Sequence, residues 1–228
     1  MAASISPYGK GDKMSDAFVV NRTSGTFSWS EHRLTPPSGE EQVLRLLGTT
    51  EPTSVLELGP GNGRRALALL QRFHSADFLG FEPSQTLLAT ARHTLATHAE
   101  RAAVEGRNLA LQLPLENGAA DLAVCFDLLE SLRMDELYMM ISEARRALRP
   151  GSLCLFRCLS YGTGIKGKIA AQARAWFPKR YRGTRPLELT HYFSPEDWRV
   201  LTDERAQEGW LSRQTVTLER LSGPEATK

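Results

Sequence analysis

A ten-residue stretch, VLELGPGNGR from Val55 to Arg64, constrains this chain more than any other part of it. Glycines at 59, 61 and 63 follow a short apolar run, Ser54–Leu58. They precede a helical pattern over Arg64–Phe73, with Ala66, Leu67, Leu69 and Leu70 on one face. A glycine turn between strand and helix lets a ligand approach the backbone closely, with the first helical N–H groups facing it. Two common loops of this kind are excluded. A dinucleotide loop, G-x-G-x-x-G, needs a third glycine at position 64, which is Arg64. A P-loop needs Lys-Ser or Lys-Thr after the glycines, and neither is present.

The pattern around the loop alternates. A capping box, Ser38-x-x-Glu41, opens a helix carrying Val43, Leu44, Leu46 and Leu47 and ending near Gly48. After the loop's own helix comes a strand, Asp77–Phe81, closed by Glu82-Pro83, then a helix over Ser84–Ala99. A weak strand is expected at Ala110–Leu113, and a continuously apolar one at Asp121–Phe126, as suits a strand buried on both faces. Met134–Leu148 reads as a helix stopped by Arg149-Pro150-Gly151, and Ser152–Arg157 as a fifth strand. The fold class is α/β: a doubly wound, mostly parallel sheet with helices on both faces. Further on, Ser194-Pro195-Glu196-Asp197 supplies an N-cap, a first-turn proline and two acids, predicting a helix to about Ala206. A final strand is expected at Trp210–Leu221.

The loop and the segments C-terminal to it resemble the class I S-adenosylmethionine-dependent methyltransferases, in particular their ubiquinone-biosynthesis-like, type 11 group. The family's first motif is an acid followed by G-x-G-x-G, here Glu57, Gly59, Gly61 and Gly63. Leu113–Leu132, Arg145–Phe156 and His191–Trp198 are similar to three later segments of that family, in order. The resemblance implies a Rossmann-like fold and S-adenosyl-L-methionine as cofactor. A sulfonium and an ammonium suit a carboxylate at Glu57, and the methionine carboxylate suits the helix start near Arg64 and Arg65. Glu82 would accept the ribose hydroxyls. Phe126 and Asp127 would line the pocket, and Asn108–Gln112 would run past the adenine. His191 and Tyr192 are the first candidates for a catalytic base or orienting group, with Asp127 and Glu130 second. The family's usual acid after the third strand is replaced by amides at Asn108 and Gln112, and its usual His by Ser131. The tail is also short for the two antiparallel strands that usually close the sheet.

In domain terms, residues 1–37 form an N-terminal arm or lid holding at most one short helix, 38–221 the methyltransferase domain, and 222–228 a tail. Apolar residues make up 41% and charged residues 24%, which excludes collagenous, coiled-coil and wholly disordered chains. The net charge of +2 hides an uneven distribution: residues 159–186 hold seven basic residues and no acid, leaving −5 elsewhere. This basic stretch lies in a substrate-side insertion, 159–190, with Ile165, Ile169, Ala173 and Trp176-Phe177 at helical spacing. It reads as a solvated face whose apolar side packs on the sheet, as a lid for an anionic or lipid-like acceptor, or as an RNA contact. The expected activity is methyl transfer to a small-molecule or lipid-like acceptor. The alternatives are an RNA methyltransferase using residues 159–186, and a non-catalytic methyltransferase-like binding protein. Three cysteines (Cys125, Cys154, Cys158) in apolar surroundings match no zinc spacing and read as buried reduced thiols; no metal site is expected. No secretory core or run of ~18 apolar residues occurs, so the cytoplasm is the expected location and no integral membrane segment is expected.

Overall fold

The computed structural model describes residues 18–21, 26–29, 39–161, 164, 165, 167–169, 172, 186–208 and 211–222. A hairpin of β1 (Phe18–Asn21) and β2 (Thr26–Trp29) replaces the short helix or loop expected in the N-terminal arm. The remaining strands form one sheet of seven. In chain order they alternate with helices: α1 (Gly39–Leu47), β3 (Ser54–Leu58), α2 (Arg64–Arg72), β4 (Asp77–Phe81), α3 (Gln85–Thr94), β5 (Ala102–Glu105), β6 (Ala120–Phe126), α4 (Met134–Ala147) and β7 (Leu148–Tyr161). Two strands, β8 (Trp198–Glu208) and β9 (Leu211–Arg220), close the sheet.

The spatial order is β5-β4-β3-β6-β7-β9-β8. From β5 to β7 every pairing is parallel, and β9 runs antiparallel to both β7 and β8. The chain steps from β3 to β4 to β5 in one direction, then returns to lay β6 on the other side of β3. That reversal makes the C-terminal ends of β3 and β6 the switch point, where open α/β sheets bind ligands.

Side-chain alternation divides the core into two layers. Val55, Leu122, Val124, Phe126 and Leu155 pack with α1, α2 and α3 residues such as Val43, Ala66, Leu70 and Ala91. Leu56, Leu58, Ala123, Cys125, Cys154 and Phe156 face the other way, onto Leu137, Met140, Ile141 and Ala144 of α4. Each fully buried leucine or phenylalanine contributes ~1.5–3 kcal/mol, so two such layers fix the register of every central strand. Arg101 closes the far end of α2 by donating to the carbonyls of Leu70, Phe73 and Ala76, which supplies a cation where the helix dipole is negative.

Two expectations fail. The third parallel strand is β5 at Ala102–Glu105, and residues 110–113 form a loop. Leu109 and Leu113 are buried in that loop, but its backbone groups find side chains of α4 in place of a ladder. Glu143 accepts from Leu113 N, while Arg146 donates to the carbonyls of Leu113 and Leu115. The second failure is the helix over 194–206. Its signal holds for one turn, with Ser194 Oγ accepting from Glu196 N and Ser194 O from Trp198 N. From Trp198 the chain pairs with β9 instead, Arg199 opposite Glu219 and Arg205 opposite Gln214. Cross-strand pairing outweighs a local cap that lacked an apolar face behind it. β8 is therefore one of the two closing strands whose presence the short tail argued against.

Candidate functional site

The loop after β3 has the geometry its glycines suggest. Gly59, Gly61 and Gly63 have φ of 76°, 62° and 81°, a region L side chains rarely occupy. Gly63 also needs its bare Cα, because a Cβ there would stand 3.1 Å from Ala91 Cα on α3. A Cβ on Gly61 would meet nothing within 4 Å, so this glycine faces open space.

Glu82, at the end of β4, ties this loop to the neighbouring strand. Its Oε2 accepts from Gly61 N at 2.9 Å and its Oε1 from Ser84 N at 2.8 Å. Burial pushes its pKa up to about 7, against the lowering effect of those two N–H donors. Each oxygen keeps a lone pair for a further donor.

Glu57 is fully buried on β3. Arg65, from the first turn of α2, places Nε 2.5 Å from Glu57 Oε1 and turns inward, away from the role at the loop mouth expected of it. Arg64, beside it, stays at the surface facing Glu40 at 3.6 Å. Burial raises the pKa of Glu57 more than Arg65 lowers it, and Glu57 Oε2 has no hydrogen-bond partner among the described residues.

Phe126 and Asp127, at the end of β6, lie in the same neighbourhood. The ring of Phe126 is held between two guanidinium groups, Arg65 at 4.8 Å and Arg157 at 4.5 Å from its centroid. Asp127 has φ 61° and pairs with Arg157 of β7 and Arg213 of β9. Asp127 is deeply buried, yet these two arginines hold its pKa below the usual carboxylate range. Arg157 also donates to Gln42 of α1, whose amide donates to Thr215 of β9. A charged band thus runs Glu57, Arg65, Arg157, Asp127, Arg213, with the Phe126 ring where the two like charges of Arg65 and Arg157 meet. Sequence reading named Arg65, in another role, and missed Arg157 and Arg213. The signal available was Arg157 itself, a lone charge in the apolar run LCLFRCL.

The two candidate catalytic residues sit elsewhere, on a short 3-10 turn, Leu189–Tyr192, on the α4 side of the sheet. His191 is exposed. Tyr192 packs edge-on against Tyr138 at 5.8 Å, with its hydroxyl 3.9 Å from Met134 Sδ. Among the described residues no contact joins either of them to Glu57, Glu82 or Asp127. Asn108 turns its side chain back to cap Ala110 N. Of the basic insertion, residues 162, 163, 166, 170, 171 and 173–185 lie outside the described residues. Ile165 and Ile169 are described, and at 78% and 49% exposure they do not pack on the sheet as the solvated-face reading required.

Residues 55–151 match the family described as "Methyltransferase domain". Two curated relatives are malonyl-[acyl-carrier protein] O-methyltransferases. That of Geobacter sulfurreducens is 31% identical over 159 residues, covering 69% of this chain and 57% of the relative. That of Xylella fastidiosa is 29% identical, covering 68% and 53%. The chain thus spans little more than half the length of these relatives. Among solved structures, geranyl diphosphate C-methyltransferase from Streptomyces coelicolor A3(2), in complex with Mg2+, geranyl diphosphate and S-adenosyl-L-homocysteine, superposes with a TM-score of 0.64. It is 14% identical, over 81% of this chain and 79% of that one. A [4+2]-cyclase superposes equally well, at 0.64 and 15% identity, over 92% of this chain and 87% of that one. The strand order, the glycine loop at the switch point and the matched residues 55–151 agree on a Rossmann-like fold that carries a methyltransferase domain.

Proposed function

We propose that this chain transfers a methyl group from S-adenosyl-L-methionine to a small-molecule or lipid-like acceptor by in-line displacement. The observation that carries the reading is Glu82, a buried carboxyl fixed by Gly61 N and Ser84 N beside an open glycine loop. The residues fit the cofactor. Glu82 retains acceptor capacity for the two ribose hydroxyls, and Glu57 Oε2 is a buried carboxylate oxygen without a partner among the described residues, suited to the cofactor's cationic groups. The first turn of α2 carries no acid, so its free N–H groups favour a carboxylate such as that of the methionine moiety. Phe126 and Asp127 wall the pocket from the β6 side. When bound, the cofactor supplies a methyl group activated by positive sulfur, and the chain's task is to hold an acceptor atom in line with it.

His191 and Tyr192 are the rim groups proposed to orient that acceptor. The curated relatives act on a malonyl group held by a carrier protein, which supports an acyl-type acceptor here as well. The seven basic residues of 159–186 suit an acceptor or carrier of negative charge.

Calorimetric titration with S-adenosylmethionine and S-adenosylhomocysteine tests the reading. Binding in the micromolar range is expected, and absence of binding at millimolar ligand would refute it. That a [4+2]-cyclase shares the fold supports a second reading, in which the chain binds the cofactor and does other work. It would show as cofactor binding with no transfer to any acceptor, malonyl-[acyl-carrier protein] included.

A further inference from the structure

Among the described residues Asp127 alone has a positive φ without being glycine, at 61°. A Cβ disfavours that left-handed conformation by roughly tenfold. Aspartate reaches it most often by bonding its carboxylate to backbone nearby in sequence. Here the carboxylate goes instead to β7 and β9, 30 and 86 residues further on. Its Oδ1 accepts from Arg157 Nε at 3.2 Å and from Arg213 Nη1, and its Oδ2 from Arg157 Nη2. Backbone strain held by distant partners beside a ligand loop points to a task for those partners.

What the strained residue aims is Leu128. The φ of Asp127 sets the direction in which the chain leaves β6, and the Leu128 side chain comes to rest on the glycine loop. A Cβ on Gly59 would stand 3.1 Å from Leu128 Cδ2 and 3.7 Å from its Cβ and Cγ. Leu128 is fully buried, and its carbonyl accepts from Ser131 N at 3.0 Å, which opens the 3-10 turn Leu129–Ser131. Gly59 N donates to Phe81 O of β4 at 2.9 Å, so the loop is pressed from one side and tied on the other.

A guanidinium that aims backbone must itself be fixed, and Arg157 is. It lies 4.5 Å from the centroid of the Phe126 ring. Gly39, the first residue of α1, is bare where a Cβ would stand 3.1 Å from Arg157 Nη2 and 3.2 Å from Nη1. Nη1 also donates to Gln42 Oε1 at 3.3 Å. A lysine would carry the charge but not this fork.

We propose that Arg157 and Arg213 are positioning residues for the cofactor loop: by holding Asp127 left-handed they seat Leu128 against Gly59. Asp127 then serves the pocket through its backbone, its carboxylate being taken up by the arginines. The inference rests on the function proposed above for what the loop binds. It extends the site to two strands, β7 and β9, that carry none of the groups assigned to the cofactor.

Two substitutions at one position separate backbone aim from charge. Glycine and alanine both remove the Asp127 carboxylate, and with it the repulsion that joins burial in raising the pKa of Glu130 to about 7. They differ in that glycine takes a φ of 61° freely and alanine does not. In the full chain, Arg157→Met is expected to quicken amide hydrogen exchange over residues 59–63 roughly tenfold without ligand, and to weaken S-adenosylhomocysteine binding on calorimetry about as much. Arg157→Lys should behave as Arg157→Met does. On the Arg157→Met background, Asp127→Gly should recover most of both losses and Asp127→Ala should recover neither. Equal behaviour of the glycine and alanine versions, both recovered or both impaired, would overturn the proposal. So would an Arg157→Met protein whose loop exchanges as the parent's does. Should Arg157→Met fail to fold, Asp127→Gly and Asp127→Ala in the parent chain give the same comparison, with parental loop exchange expected for glycine alone. A parent protein that binds no S-adenosylhomocysteine would sink the function proposed above, while loop exchange, which needs no ligand, still decides this inference.

Discussion

Arg65 covers Glu57, with its Nε 2.5 Å from Glu57 Oε1, so the acid before the glycine loop is held by a cation from the helix after it. Glu57 is fully buried and Arg65 mostly so, and breaking such a pair from the arginine side strands the buried carboxylate. Arg65→Met is expected to cost ~3–5 kcal/mol in urea unfolding. Adding Glu57→Gln should restore most of that loss, because two neutral groups replace one unpaired charge. A double variant as unstable as the single one would show that Arg65 matters mainly through its stacking on Phe126.

Glu82 sets a pH dependence of known sign. Its folded-state pKa, about 7, lies above that of an unfolded glutamate, so the folded chain holds the proton more tightly. Its contribution to stability is therefore full below about pH 4.5 and is lost as pH rises through about 7. Over that window the slope for one such group approaches ~1.4 kcal/mol per pH unit. Glu82→Gln should flatten the decline in unfolding free energy between about pH 5 and pH 7, and Glu130→Gln should flatten it further. A variant with an unaltered slope would mean that Glu82 is ionised throughout.

Gly61 and Gly63 separate backbone strain from ligand space. Gly63→Ala brings a Cβ against the Ala91 backbone, and should lower stability by ~2–4 kcal/mol. Gly61→Ala meets no neighbour and should cost only ~1 kcal/mol for its left-handed φ. Yet it projects a methyl group into the open side of the loop, so S-adenosylhomocysteine affinity should fall at least tenfold on calorimetry, an order-of-magnitude expectation from lost close approach of the backbone.

Cys125, Cys154 and Cys158 are free and buried, and burial pushes all three thiols well above their ordinary pKa. The native protein should leave them unmodified by Ellman's reagent at neutral pH, with reaction appearing only on unfolding. Prompt reaction of a native thiol would show that the α4 side of the sheet opens readily.

His191 is exposed, and Tyr192 meets only a methionine sulfur with its hydroxyl. Neither substitution should move stability by more than ~0.5 kcal/mol. A fall in turnover for His191→Ala or Tyr192→Phe, at unchanged cofactor affinity, would then report on acceptor positioning. Unchanged turnover in both would remove them from the site.

The sequence made the centre of the fold legible and left its edges obscure. Near-continuous apolar runs at Ser54–Leu58, Asp121–Phe126 and Ser152–Arg157 mark strands covered on both faces, and all three are strands. Ala102–Glu105 is hidden because four residues are too few to show a period and two of them are small alanines, while Leu109 and Leu113 advertise burial without being in a ladder. The helix expected after Ser194 failed because capping residues report only on one turn. Glu57, the glycines and Glu82 could be read because loop geometry imposes them. The arginines that pair with Asp127 come from 30 and 86 residues away, beyond any local pattern, whereas Arg65 is near in sequence and only its turn onto Glu57 was hidden.

The unexpected β8 also explains how this sheet stops. Among the described residues it pairs on one side only, leaving a row of backbone donors and acceptors along its outer border, the kind of border that recruits foreign strands. Arg199 answers Glu219 across the β9 pair at 3.1 Å, and a register shift between Val200 and Thr202 breaks the ladder just where Val200 and Leu201 are both 45% exposed. An incoming strand would have to match that irregularity and dehydrate Arg199, Asp203 and Arg205. Charge and a misfitting step thereby guard two surface aliphatics that would otherwise seed aggregation.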